Sequence, residues 1–123
     1  MSYFSYRDLI VWQKAMDLVD EVYSLTKHLP REELFALSDQ MRRAAVSIPS
    51  NIAEGHGRKA RKEFLQFLSI ARGSVFELET QLSICVRQRY LTEEQVQNGF
   101  HLCEEIGRIL TRISTKTDAN SEA

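Results

Sequence analysis

Apolar residues recur along this chain at steps of three and four, in four separate runs. The first run predicts a helix from about Arg7 to Lys27. Leu9, Trp12, Met16, Val19, Tyr23 and Thr26 fall on one face of it. A second row, Val11, Leu18, Val22, Leu25 and Leu29, lies beside the first. One buried stripe is enough for a bundle helix. The second row is therefore either a widening of the core face or a contact with another subunit. On the latter reading Val11, Leu18, Val22 and Leu25 are the candidate oligomer interface. Ser5 and Asp8 just ahead have the form of a capping box.

Pro30 interrupts the rhythm and suits the first position of a second helix, where its missing N–H is no loss. Glu32 and Glu33 in the first turn complement the helix dipole. The stripe Leu34, Leu37, Met41, Ala44, Ala45, Ile48 and Ile52 carries this helix to Glu54. Pro49 lies inside it and removes a hydrogen bond to the Ala45 carbonyl. Because the apolar rhythm survives on both sides, a kink is expected rather than a stop. Gly55 and Gly57 are the expected terminators.

The third run, from about Ala60 to Arg89, places Phe64, Phe67, Leu68, Ala71, Val75, Leu78, Leu82 and Cys85 on one face. A short turn follows, and Thr92 with Gln95 forms a second capping box. The fourth helix carries Val96, Phe100, Cys103, Ile106, Gly107, Leu110 and Ile113 inward, and is expected to end near Ser114. The short connections predict an all-α, antiparallel, up-down-up-down four-helix bundle over residues 1–114. Residues 115–123 read as a flexible polar tail.

Composition adds limits to this picture. The 123 residues form one domain of ordinary make-up, 43% hydrophobic and 27% charged. A net charge of −1 gives the whole molecule no bulk attraction for nucleic acid or anionic lipid, so any such binding needs a local patch. No apolar run is long enough to span a membrane, and Met1 to Tyr6 lacks the layout of a signal peptide, which points to the cytoplasm. Cys85 and Cys103 are offset by about six residues, or about 9 Å, on antiparallel neighbours. They read as buried reduced thiols rather than a disulfide.

Candidate chemistry is sparse. None of His28, His56 and His101 has Glu three residues before it, so the Glu-x-x-His motif of a di-iron bundle is missing, and no metal or cofactor is expected. Ser47, Ser50 and Ser74 have no adjacent base, and Glu77 and Glu79 are two apart on a helix and point in different directions. One of them is expected to pair with Arg42 or Arg43. Gly55-His56-Gly57-Arg58-Lys59 lacks the phosphate-loop pattern. No enzyme is implied. The clearest signal is charge: Arg42, Arg43, Arg58, Lys59, Arg61 and Lys62 fall in a span whose only acid is Glu54. Asp17, Asp20, Glu21, Glu104 and Glu105 lie on the first and fourth helices. The six cations are either a solvated helix start or a phosphate-contacting segment for RNA or DNA.

Several stretches carry a family resemblance: Phe4 to Lys14, Gln40 to Gly55, Glu63 to Leu68, Ala71 to Ser74 and Glu77 to Gln81. Together they resemble the 23S rRNA intervening-sequence protein family, also called four-helix bundle proteins. The resemblance implies a bundle that assembles into a ring, a pentamer. It brings no catalytic residues. The family is similar to the accessory variability proteins of diversity-generating retroelements, basic rings that bind nucleic acid and a reverse transcriptase. The family pattern often has a Ser or Thr cap before Glu63-Phe64, where this chain has Ala60. Two functions follow as expectations: a ring-forming nucleic-acid-binding accessory protein, or an oligomer that contacts another protein and no nucleic acid.

Overall fold

The computed structural model describes residues 5–122, with side chains described as far as Thr115. The chain begins with the expected capping box: Ser5 Oγ accepts the Arg7 N–H at 3.1 Å, and the Ser5 N–H donates to Asp8 Oδ2 at 2.9 Å. The box closes a single 3-10 turn, Tyr6–Asp8, and α1 (Ile10–Thr26) starts after it. A second 3-10 turn, Arg31–Glu33, follows Pro30. Then come α2 (Leu37–His56), α3 (Arg61–Arg87) and α4 (Glu93–Glu122). No strand occurs among the described residues. The protein is an all-α four-helix bundle.

Each helix packs on two others, in the cycle α1–α2–α3–α4–α1. Paired levels run in opposite senses along each seam. Between α1 and α2, Thr26 meets Arg42, while Trp12 and Ala53 share a groove. Between α2 and α3, Met41 meets Cys85 and Gly55 meets Phe67. Between α4 and α1, Glu21 meets Asn98 and Lys14 meets Glu105. Neighbouring helices therefore run in opposite directions.

The core resolves the ambiguity of the first helix. Val11, Leu18, Val22 and Leu25, the expected subunit contact, are at most 5% exposed and line the bundle's own interior with Ala15. They cannot form an interface without unfolding the chain. In the first row, Leu9, Trp12 and Val19 only flank the core, and Met16 and Tyr23 are 38% and 44% exposed. Apart from Thr26, which is buried, the roles of the two rows are thus exchanged. Aliphatic side chains fill the narrow space between four helices, and the bulkier aromatics sit at its margin.

Helix 2 differs at its start. The expected first turn is a separate 3-10 turn, and the chain breaks at Ala36 (φ −122°, ψ −103°). Leu34 and Phe35 turn out to solvent, Phe35 at 91% exposure, so Leu34 leaves the core stripe. Glu33 holds the break in place: its carboxylate accepts the Leu37 N–H at 3.3 Å and the Tyr90 hydroxyl at 2.9 Å. From Leu37 the helix continues through Pro49, whose ring is buried. It ends at His56 with Gly57 as its cap. Gly55 is not a terminator. A Cβ there would lie 2.9 Å from Phe67 Cβ and 3.4 Å from the Phe64 carbonyl oxygen, so its missing side chain permits close approach of α3.

Helix 3 begins after Ala60, which makes no side-chain cap. Its C-terminus closes in a Schellman motif, with Tyr90 N–H donating to Cys85 O at 2.9 Å and Arg89 N–H to Val86 O at 3.0 Å. Arg89 sits in the left-handed region at φ 64°, where glycine is the usual residue. Thr92 and Gln95 form the expected reciprocal box at the start of α4. That helix runs past Ser114 to Glu122, since no Gly or Pro stops it. The side chains of the polar tail beyond Thr115 lie outside the described residues.

Candidate nucleic-acid interface

The six cations that adjoin in sequence do not adjoin in space. Arg42 lies near the start of α2 and Arg58 just past its end, about 24 Å apart at a rise of about 1.5 Å per residue. Arg42 is also engaged: its Nε–H donates to Thr26 Oγ1 at 3.2 Å and its guanidinium stacks 5.6 Å from the Tyr23 ring centroid. Arg43 pairs with Asp39 at 2.8 Å. The ion pair expected from Glu77 or Glu79 to one of these arginines is therefore not formed. Arg58 is held between Glu54 and Glu63 at 3.8 and 3.9 Å and lies over the Phe67 ring.

Lys59, Arg61 and Lys62 remain. They are exposed at the turn from α2 to α3, and none is in an ion pair among the described residues. This turn is the one part of the predicted site that presents unengaged positive charge.

The structure adds cations that sequence adjacency hid. Arg61, Leu65, Arg72 and Phe76 follow one another at steps of four, seven and four, along one side of α3. Opposite them, α4 contributes Arg108 and Arg112. Of these, Phe76, Arg108 and Arg112 border a groove of about 530 Å³ between α3 and α4, floored by Val75, Cys103 and Gly107, and Arg72 lies beside it against the Phe76 ring. Phe76 is 58% exposed, with the Arg72 guanidinium 5.9 Å from its ring centroid. Glu79 and Glu104 close the end of the groove farther from the α2–α3 turn. Burial pushes the Glu79 carboxyl above its ordinary range, and the charge of Glu104 adds to the shift.

Negative charge gathers elsewhere. Asp17, Asp20 and Glu21 share a surface pocket on the α1/α4 side with Asn98, whose amide donates to Glu21 at 3.0 Å. Glu105 pairs with Lys14 at 2.8 Å, which holds its carboxyl below the usual range. Acidic side chains thus gather on the α1/α4 side, while Lys59, Arg61, Lys62 and Arg72 lie at the α2–α3 turn and along α3.

The remaining candidates have structural partners. Ser74 Oγ donates to Ser47 Oγ at 2.9 Å, and the Asn51 amide donates to the Ser47 carbonyl and hydroxyl. These polar groups join α2 to α3. Cys85 and Cys103 are free and buried as expected. Burial pushes their thiols up to about 11 and about 12, with Glu33 and Glu79 respectively adding to the shift, so neither is a ready nucleophile. Among the described residues no three His, Cys, Asp or Glu side chains gather as a metal site, and no helix is long and apolar enough to cross a membrane.

The fold defines a class: an all-α four-helix bundle. Within that class the chain belongs to the 23S rRNA-intervening sequence protein family, whose profile matches residues 7–112. It is also similar to the crystal structure of a protein of unknown function from the S23 ribosomal protein family of Bacteroides thetaiotaomicron VPI-5482. That similarity has a TM-score of 0.79 and 30% sequence identity, covering 85% of this chain and 98% of the other. No curated protein matches the chain.

Proposed function

We propose that this chain is a non-enzymatic, ring-forming accessory protein of the cytoplasm that binds RNA or DNA through a basic surface. The observation that carries the reading is the unengaged charge of Lys59, Arg61 and Lys62 at the α2–α3 turn. None of the three is in an ion pair among the described residues, whereas a phosphate backbone neutralises such cations and releases counterions. Contacts of that kind position a nucleic acid without reading its sequence. Repetition of the turn around a ring would add its weak contacts by multivalency.

The test is binding of a structured RNA at several salt concentrations. The log of the affinity should fall linearly with log salt, by roughly 0.7–0.9 per phosphate neutralised. Replacing Lys59, Arg61 and Lys62 together by Ala should flatten that slope by about 2 to 3. Binding that is absent at low salt, or insensitive to salt, refutes the reading.

A second reading, an oligomer that contacts protein and no nucleic acid, is favoured by two observations. Phe35 is 91% exposed, and Met16 and Val46 flank an apolar groove of about 300 Å³ between α1 and α2. Exposed apolar surface of this kind marks interaction sites. Both readings expect an oligomer in sedimentation, and a strictly monomeric protein counts against the ring in each. Recovery of one protein partner after nuclease treatment would favour the second.

A further inference from the structure

We propose that the groove between α3 and α4 is a single-strand site, in which Phe76 stacks on an unpaired base and Arg72, Arg108 and Arg112 hold the flanking phosphates. The inference rests on the nucleic-acid reading above and names the form of nucleic acid bound.

Four features carry it. Among the described residues Phe76 is the only aromatic side chain bordering the groove, and it is more than half exposed. A ring in that state offers a face to any planar partner, and every base has one. Arg72 already lies against the ring, which orients a guanidinium beside the stacked base. Arg72, Arg108 and Arg112 are in no ion pair among the described residues, so no acid already neutralises their charges. Gly107 has no atom within 4 Å of the position a Cβ would take, and the floor beside the ring is open.

The charges also set a path. Glu79 and Glu104 repel phosphate from one end of the groove. At the other end the same side of α3 carries Arg72 and, about 16 Å nearer the α2–α3 turn at a rise of about 1.5 Å per residue, Arg61. A strand seated on Phe76 therefore leaves toward the α2–α3 turn and continues over Lys62 and Lys59. A duplex has no use for the ring, because its bases are already stacked.

The experiment compares a short fluorescein-labelled oligouridylate with duplex RNA of the same length, by anisotropy at fixed salt. The proteins are the full chain, Phe76→Ala, Phe76→Tyr, and the combined Lys59→Ala, Arg61→Ala and Lys62→Ala variant. Phe76→Ala should weaken single-strand binding roughly 5- to 150-fold and leave duplex binding unchanged. Phe76→Tyr should retain binding. The turn variant should weaken both RNAs. Phe76→Trp supplies an independent signal, since stacking should quench its emission as oligouridylate is added. The exposure of the ring leaves the core intact in each variant, and circular dichroism checks this.

Wild-type single-strand affinity in Phe76→Ala, with the turn variant still impaired, overturns the groove and spares the wider reading. No binding of either RNA by the full chain overturns both. A change of oligomeric state in Phe76→Ala would make the groove a subunit contact and also overturn the proposal.

Discussion

Gly55 offers the sharpest test of the packing described above. Gly55→Ala places a methyl 2.9 Å from Phe67 Cβ and 3.4 Å from the Phe64 carbonyl oxygen. Neither neighbour is the free end of a flexible side chain, so α2 and α3 must separate by several tenths of an ångström. Overpacking of this kind costs about 1–3 kcal/mol. Alanine returns about 1 kcal/mol of helix propensity. The net expectation is a loss of about 1 kcal/mol, or about 4 °C in Tm for a chain of this size. Gly73→Ala is the internal control. Nothing lies within 4 Å of its Cβ, so only the propensity gain of about 1 kcal/mol remains. Thermal denaturation followed by circular dichroism should shift down for Gly55→Ala and up for Gly73→Ala. If Gly55→Ala melts at or above the parent temperature, the close approach of α2 and α3 is not what requires glycine there.

Three further outcomes follow from buried or strained groups. Gln81 is 4% exposed and its Oε1 has no hydrogen-bond partner, so Gln81→Met should raise stability by about 1–3 kcal/mol in urea titration; an unchanged midpoint would show that the oxygen is satisfied. Arg89→Gly relieves the left-handed backbone at φ 64° and should stabilise by about 0.5–1 kcal/mol, with the rest of the gain offset by glycine's freedom in the unfolded chain. A loss of stability would mean that the Arg89 side chain matters more than its backbone. The two thiols keep their protons in the fold up to about 11 and about 12, while unfolded thiols release them near the ordinary value of 9.0. Their contribution is therefore whole below pH 9.0 and lost as pH rises through that window. A double Cys85→Ala, Cys103→Ala variant should show a shallower alkaline fall in stability than the parent, and an equal slope would refute the assignment.

Most of the architecture was legible because it follows from local signals. Both capping boxes, the apolar stripes of α2, α3 and α4, and the burial of the cysteines follow from residue type and spacing. The start of α2 did not, because Leu34 and Leu37 keep the helical rhythm across a break set by tertiary contact. Glu33 accepts from both Leu37 and Tyr90, and no local pattern announces a partner on the α3–α4 turn. The two rows of α1 both keep helical spacing, and the wholly aliphatic one fills the narrow space between four helices while the one with Trp12 and Tyr23 lies at its margin. For the candidate site, adjacency misled: Arg42 and Arg58 belong to opposite ends of one helix. Helical periodicity was the better guide, since Arg61, Arg72 and Phe76 share one side of α3, and Arg108 and Arg112 are one turn apart on α4.

The α3/α4 groove also bears on how this protein would respond to engineering. Gly107 on its floor, Gly73 within a turn of Phe76, and the like-charged Arg108 and Arg112 each weaken their own helix. The glycines forgo about 1 kcal/mol apiece, and the arginine pair costs about 0.2–0.5 kcal/mol. A redesign guided by thermostability alone would replace all four, and they cluster around a single surface. The rest of the bundle could be hardened freely, whereas along this groove gains in melting temperature would trade against whatever the groove holds.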